Sequence, residues 1–222
     1  MSRWHVDPVA SWRREPERLS ETWVAYRQSD HRYPAMWRAG SRTNPKVQPA
    51  ARWHREGEYI QYTSLTEAAA WAELVRHEEI HEQQTREDNP RVLWRIWVTE
   101  HDVADLSTSA HFRACGLPIA MMDRRGPDGR WDYGPCQSLA AELRAAGYRA
   151  LLAPSAALAG ATCLSLFDER FELEPGLHTL GERRTENRDP ERFVLATCIA
   201  DRALVPLGVL KECGIPAWDG SG

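Results

Sequence analysis

Glu58-Tyr59-Ile60-Gln61-Tyr62-Thr63-Ser64-Leu65-Thr66-Glu67-Ala68-Ala69-Ala70-Trp71-Ala72-Glu73 reads as a strand running straight into a helix, and that junction decides the fold. Ile60 and Tyr62 share one face at the two-residue period of a strand. Ser64-Leu65-Thr66-Glu67 has the form of a capping box, in which the Ser64 hydroxyl takes a first-turn amide and Glu67 reaches back. The helix it opens crosses an alanine-rich turn and runs to about Gln84, before Asp88-Asn89-Pro90 stops it.

Working outward, Val92, Trp94, Ile96 and Val98 alternate with Leu93, Arg95 and Trp97, a strand by periodicity. Asp123 to Gly134 carries turn chemistry. Pro135 to Ala146 is amphipathic, with Leu139, Ala140 and Leu143 inward and Gly147 just past its end. The uncharged run from Ala150 to Phe167 holds Pro154, Ser155 and Gly160, so it reads as two buried strands around a loop rather than a membrane helix. Met36-Trp37-Arg38-Ala39 is a further short strand. Asp7-Pro8 and Ser20 look like helix starts, the second opening a helix with Trp23, Val24 and Tyr26. Asp189-Pro190 opens a last helix carrying Phe193, Ala196, Ile199 and Ala200. The expected class is α+β, a mixed central sheet with flanking helices. The expected division is a helical N-terminal extension over 1–32, a catalytic domain over 33–174, and a C-terminal helical extension over 175–222 packed on the same domain.

Composition narrows the function. The 222 residues are 42% hydrophobic and 27% charged, the balance of a globular chain. A net charge of −4 gives no global field to recruit nucleic acid or an anionic membrane. Five scattered cysteines without a C-x-x-C pair argue against a disulfide framework or a structural zinc and for a reducing compartment. With no apolar signal core at the N-terminus, the expected location is the cytoplasm.

The residues that carry chemistry are Trp37-Arg38, Arg52-Trp53, Gly57, Tyr62-Thr63-Ser64, Glu67 through Glu73, and Pro154-Ser155-Ala156-Ala157. In this order and spacing they resemble the RES family, named for its arginine, glutamate and serine, over about residues 33–173. Where that family often has a glycine before the Arg-Trp pair and an asparagine after it, this chain has Ala51 and His54. The resemblance implies an ADP-ribosyltransferase-like fold and an activity that degrades NAD. It also implies a toxin role with a helix-turn-helix antitoxin as partner. Carried over residue by residue, it makes Glu73, Arg52 and Ser155 catalytic. It puts Arg38, Arg52, Tyr62 and Ser155 on the dinucleotide, which is substrate rather than cofactor. No metal is expected, and an oligomer is left open.

The chemistry suits those residue types. Cleaving the nicotinamide–ribose bond passes through an oxocarbenium-like transition state and releases a neutral pyridine, so no general acid is required. A carboxylate such as Glu73 stabilises the developing cation. An arginine fork binds phosphate oxygens, an aromatic such as Tyr62 stacks on the cationic ring, and Ser155 orients. By composition alone Glu73 would be a solvated helix residue, and the resemblance reverses that reading; Tyr62 reads equally as a core or a stacking residue, and a turn role is the lesser reading of Ser155. The acceptor, whether water, inorganic phosphate or a protein side chain, stays open, so a protein ADP-ribosyltransferase remains an alternative.

His77-Glu78-Glu79-Ile80-His81 matches the H-E-x-x-H zinc motif on a helix, and a zinc hydrolase is therefore a rival. Its flank, Glu82-Gln83-Gln84-Thr85-Arg86-Glu87-Asp88, is solvated rather than buried, and no third histidine follows at the extended-motif spacing. A binding module without turnover is the third reading.

Overall fold

The computed structural model describes residues 12–31, 33, 35, 48, 50–76, 91–127, 131–167, 184–189 and 192–203; in the last two segments side chains are described for 196–200 only. Seven strands form one sheet: β1 Glu17–Asp30, β2 Ile60–Ser64, β3 Arg91–Asp105, β4 Ala150–Pro154, β5 Thr162–Phe167, β6 Arg184–Asp189 and β7 Arg192–Ala203. Among the described residues three helices accompany them: α1 Glu67–Arg76, α2 Ser109–Ala114 and α3 Gly134–Ala145, with a 3-10 turn at Ile119–Asp123. The order is β1-β2-β5-β4-β3-β7-β6, and a further β1–β3 pairing joins its first strand back to its fifth. Five strands therefore close into a ring, while β7 and β6 extend from it as a flap. β3 and β4 run parallel and the other described pairs antiparallel, so the sheet is mixed as expected.

β3 is the organiser. One edge pairs with β1 from Arg91↔Asp30 to Asp105↔Glu17. Its other edge is shared, with β7 along Arg91–Thr99 and β4 along Val103–Asp105. Between those partners the β1 register slips from Leu19↔Val103 to Glu21↔Glu100, and Asp102 has φ 53°. An aspartate tolerates that left-handed backbone better than most residues, and a bulge of this kind bends and twists a strand. Arg18 Nη1 donates to Asp102 Oδ1 at 3.0 Å, and Arg149 N–H donates to the Asp102 carbonyl at 3.0 Å, so the bend is held on both sides.

The strands feed separate cores because successive side chains point to opposite faces. Leu151 and Ala153 of β4 join Ile60, Leu106, Phe112, Leu139 and Leu143 under α2 and α3. Ala150 and Leu152 join Trp23, Trp94, Ile96, Val98, Leu164 and Leu166 on the other face. α1 lies over a third cluster, Ala70, Trp71, Leu74 and Leu93. The amphipathic helix ending at Gly147 and the two strands around Pro154 form as the sequence indicates; Gly147 has φ 86°, a conformation that favours glycine.

Three sequence expectations are corrected. The helix expected from Ser20 is β1; its buried residues Trp23, Ala25 and Ser29 fall at even spacing, the period of a strand, and the paired edge of β3 needs it there. The helix expected from Asp189-Pro190 is β7, which pairs along β3, so the flanking extensions contribute strands where helices were expected. The cap of α1 is Thr66, whose Oγ1 accepts from Ala69 N–H at 3.1 Å; Ser64 is the last residue of β2 and its hydroxyl meets Cys163 Sγ at 3.6 Å. The Asp7-Pro8 start and the Met36–Ala39 strand lie outside the described residues.

Candidate active site

A two-residue turn begins the site. Ala51 and His54 exchange backbone hydrogen bonds of 3.1 and 3.4 Å, which puts Arg52 and Trp53 at its tip. Gln137 of α3 donates from Nε2 to both the Ala51 carbonyl at 2.9 Å and the His54 carbonyl at 3.0 Å, fastening the turn to the helix. Trp53 goes into the core, 2% exposed, and Arg52 lines a cleft of about 660 Å³.

Tyr62 projects from β2 into the same cleft. Its phenol oxygen accepts from Trp53 N–H at 3.0 Å and is 2.9 Å from His54 Nδ1. Burial pushes the phenol well above its usual range, so it remains protonated at neutral pH. With its oxygen engaged on the turn, the ring face is what Tyr62 offers to a ligand. His54, 1% exposed, is thus part of the site's frame. In the sequence alone His54 shows only as a departure from the family pattern.

Glu73 lies on α1, one turn beyond Ala69 and Ala70, and lines the cleft. Its Oε1 accepts from Ser155 Oγ at 2.7 Å and from Ala156 N–H at 3.2 Å, and Cys163 Sγ is 3.6 Å away. Ser155 Oγ in turn accepts from the Ala157 and Leu158 amides, both at 3.1 Å. Its own amide donates to the Ala161 carbonyl at 2.8 Å. The loop after β4 is therefore a preformed cradle for one carboxylate oxygen. All of these contacts fall on Oε1, leaving Oε2 unengaged among the described residues. Burial, reinforced by the Glu73 charge, pushes the Cys163 thiol up to about 12, so it stays protonated beside the carboxylate.

The structure thus brings Arg52, Tyr62 and Glu73 to one cleft, with Ser155 hydrogen-bonded to Glu73 at its edge. Arg38 falls outside the described residues, as do His77, Glu78 and His81 of the zinc motif. No group of three metal-binding side chains occurs among the described residues. No helix among them is long and apolar enough to cross a membrane. Sequence reading missed Arg76, Trp131 and Tyr133, which also line the cleft. Arg76 was legible, since it follows Glu73 by three residues on α1. Trp131 and Tyr133 were hidden in a segment read only as turns.

A cradled carboxylate shares its cleft with Arg52, Arg76 and the Tyr62 ring, on a mixed sheet closed by its own first strand. The chain belongs to the RES domain family, whose model matches residues 22–183. Among its relatives, the probable NAD(+) phosphorylase Rv3189 of Mycobacterium tuberculosis is 32% identical over 165 residues, spanning 72% of this chain and 70% of that protein. In fold the chain is similar to the crystal structure of the M. tuberculosis MbcT-MbcA toxin-antitoxin complex, with a TM-score of 0.59 at 17% identity, covering 89% of this chain and 92% of that one.

Proposed function

We propose that this protein cleaves the nicotinamide–ribose bond of NAD on an ADP-ribosyltransferase-like fold, with Glu73 facing the ribose as it becomes cationic. The carrying observation is the fixed carboxylate: Ser155 Oγ and the Ala156 amide hold Oε1 while Oε2 stays unengaged among the described residues. A carboxylate that needs no reorganisation at the moment of reaction stabilises positive charge most effectively. The Tyr62 ring, its hydroxyl tied to the Arg52 turn, stacks on the cationic pyridinium. Arg52, with Arg38 as its partner, binds phosphate oxygens. The C–N bond breaks with its electron pair going to the pyridine nitrogen, which leaves neutral. The acceptor oxygen then bonds the anomeric carbon and gives its proton to solvent.

Inorganic phosphate is the favoured acceptor, because the 32% identical relative carries the name of an NAD(+) phosphorylase. NAD acts as substrate, and no further cofactor is invoked. A toxin role with an antitoxin partner is in keeping with the complex that the fold neighbour's title describes. A helix-turn-helix protein covering the cleft is the partner we expect, acting in the cytoplasm.

The test is product identification. Wild type incubated with NAD and phosphate should release nicotinamide with ADP-ribose 1″-phosphate; without phosphate the yield should fall sharply. Free ADP-ribose in both cases identifies a hydrolase, and modified protein identifies an ADP-ribosyltransferase. Intact NAD with well-folded protein rejects the proposal.

A further inference from the structure

Two guanidinium groups in the cleft have hydrogens with nowhere to go. Arg52 Nε and Arg76 Nη1 are buried and have no hydrogen-bond partner among the described residues. Both arginines line the cleft. The rest of Arg76 is well fastened: Nη2 donates to Asp123 Oδ1 at 3.2 Å, and the guanidinium carbon lies 4.2 Å from the centre of the Trp131 ring. Trp131 is itself covered by the Arg125 guanidinium at 3.4 Å and paired with Arg125 through a backbone bridge. Arg52 sits 5.9 Å from the ring of Tyr133, two residues farther along the same segment.

A buried donor without an acceptor loses its hydration and gains nothing in return, and the penalty is greater when the group is charged. Here there are two, and like charges in one cleft add repulsion. Burial first, and the Arg52 charge second, hold the Arg76 guanidinium below its ordinary value. A ligand with several anionic oxygens removes both costs together, since it accepts from Nε of one arginine and Nη1 of the other. Asp123 does not serve: it holds the opposite nitrogen of Arg76 and is 68% exposed. Glu73 does not serve either, because its hydrogen bonds among the described residues go to Ser155, Ala156 and Cys163.

We propose that Arg76, braced by Trp131 and Asp123, joins Arg52 in a two-guanidinium subsite for a phosphate oxyanion. This deepens the NAD-cleavage reading and partly rests on it, but the subsite itself is a claim about binding. Two sources carry that chemistry: the pyrophosphate of the dinucleotide, and free inorganic phosphate as acceptor. Arg76 lies one helical turn past Glu73 and lines the same cleft, so an anion held there neighbours the proposed reaction centre. Trp131 sets the plane of the guanidinium, and a lysine at 76 would keep the charge while losing both the stacking and the second nitrogen.

Calorimetric titration of the full chain with inorganic pyrophosphate and, separately, with inorganic phosphate tests the binding claim without any turnover. Wild type should bind at least one of the two, Arg76→Gln should lose ten-fold or more in that affinity, and Arg76→Lys should recover only part. Trp131→Leu should weaken the same anion by a smaller factor. Steady-state kinetics then separates the sources: a rise in KM for NAD alone assigns the pyrophosphate, and a rise in KM for phosphate alone assigns the acceptor. Equal anion affinity in wild type and folded Arg76→Gln, or no anion binding by wild type, overturns the subsite. Anion binding that depends on Arg76 in a protein that leaves NAD intact would retain the subsite and reject only the proposed reaction.

Discussion

Ser155 Oγ donates a 2.7 Å hydrogen bond to Glu73 Oε1 across 82 positions of sequence. The same oxygen of Ser155 receives two backbone amides of its own loop, so the serine couples loop shape to carboxylate position. Removing the hydroxyl should loosen both. Ser155→Ala is expected to lower kcat for NAD cleavage by about 10- to 100-fold, with a stability loss of about 1 kcal/mol from the orphaned amides. Steady-state rates and thermal melting check the two effects independently. An unchanged kcat would show that the carboxylate does not need the serine.

Glu73→Gln keeps the size of the side chain and an oxygen able to accept from Ser155, and removes only the charge. It is expected to cost about 10²–10³ in kcat while leaving Tm within a degree or two of wild type. Product release measured by chromatography reads the first and calorimetry the second. A variant that turns over NAD at the wild-type rate would remove Glu73 from the chemistry.

Tyr62→Phe preserves the ring and deletes the oxygen that accepts from Trp53 N–H. The stranded amide should cost about 1–3 kcal/mol in stability by denaturant titration. Because the ring face persists, KM for NAD should change less in Tyr62→Phe than in Tyr62→Ala. The reverse ranking would indicate that the hydroxyl, rather than the face, meets the ligand.

Gln137 touches no proposed ligand, yet its amide holds both ends of the turn that carries Arg52. Gln137→Ala should raise KM for NAD several-fold with a smaller effect on kcat, the signature of a positioning residue. Gln137→Glu, which replaces the donor with a carboxylate facing two carbonyl oxygens, should be worse than alanine in both KM and Tm. Equal kinetics in all three proteins would dissociate the turn from binding.

The pH response follows from two thiols shielded from solvent, Cys136 fully and Cys163 in part. Burial pushes Cys136 and Cys163 up to about 12, from an ordinary value of 9.0. A pKa raised by folding gives stability that is complete below the unfolded value and is lost as pH climbs toward the folded one. Tm should therefore show no thiol-linked change between pH 6 and about 8, then decline above about pH 9. Iodoacetamide at pH 8 should leave Cys163 unmodified in the native protein, read by peptide mass spectrometry. Rapid labelling there would show that the thiol beside Glu73 is ionised.

Legibility differed with the kind of signal. Strands and helices that pack one face announced themselves: Val92 to Val98 by alternation, and Pro135 to Ala146 by its buried Leu139, Ala140 and Leu143. β1 did not, because Glu21, Thr22 and Arg27 interrupt its apolar pattern, and Ser20, a plausible cap residue, invited a helix. What makes it a strand is an unpaired edge of β3, a fact about another part of the chain. β7 failed for the same reason: Phe193, Ala196, Ile199 and Ala200 fit a helical stripe, but pairing with Thr99 through Leu93 overrides that spacing. At the site, Arg52, Tyr62, Glu73 and Ser155 were readable through the family resemblance. Their framework of His54 and Gln137 depends on contacts between distant segments, which no single-sequence pattern encodes.

The pairing of β1 with β3 also governs the order of events during synthesis. β1 leaves the ribosome first, and its partner is far behind; Gln28 and Arg91, which meet across the finished ladder, are 63 positions apart. At about 5–20 residues per second, this strand, with Trp23, Val24 and Ala25 at its centre and both edges open, waits for several seconds before its template emerges. Strands in that state recruit copies of themselves. The yield of active protein in a cell should therefore depend on translation speed and on holding chaperones, quite apart from the stability of the completed fold.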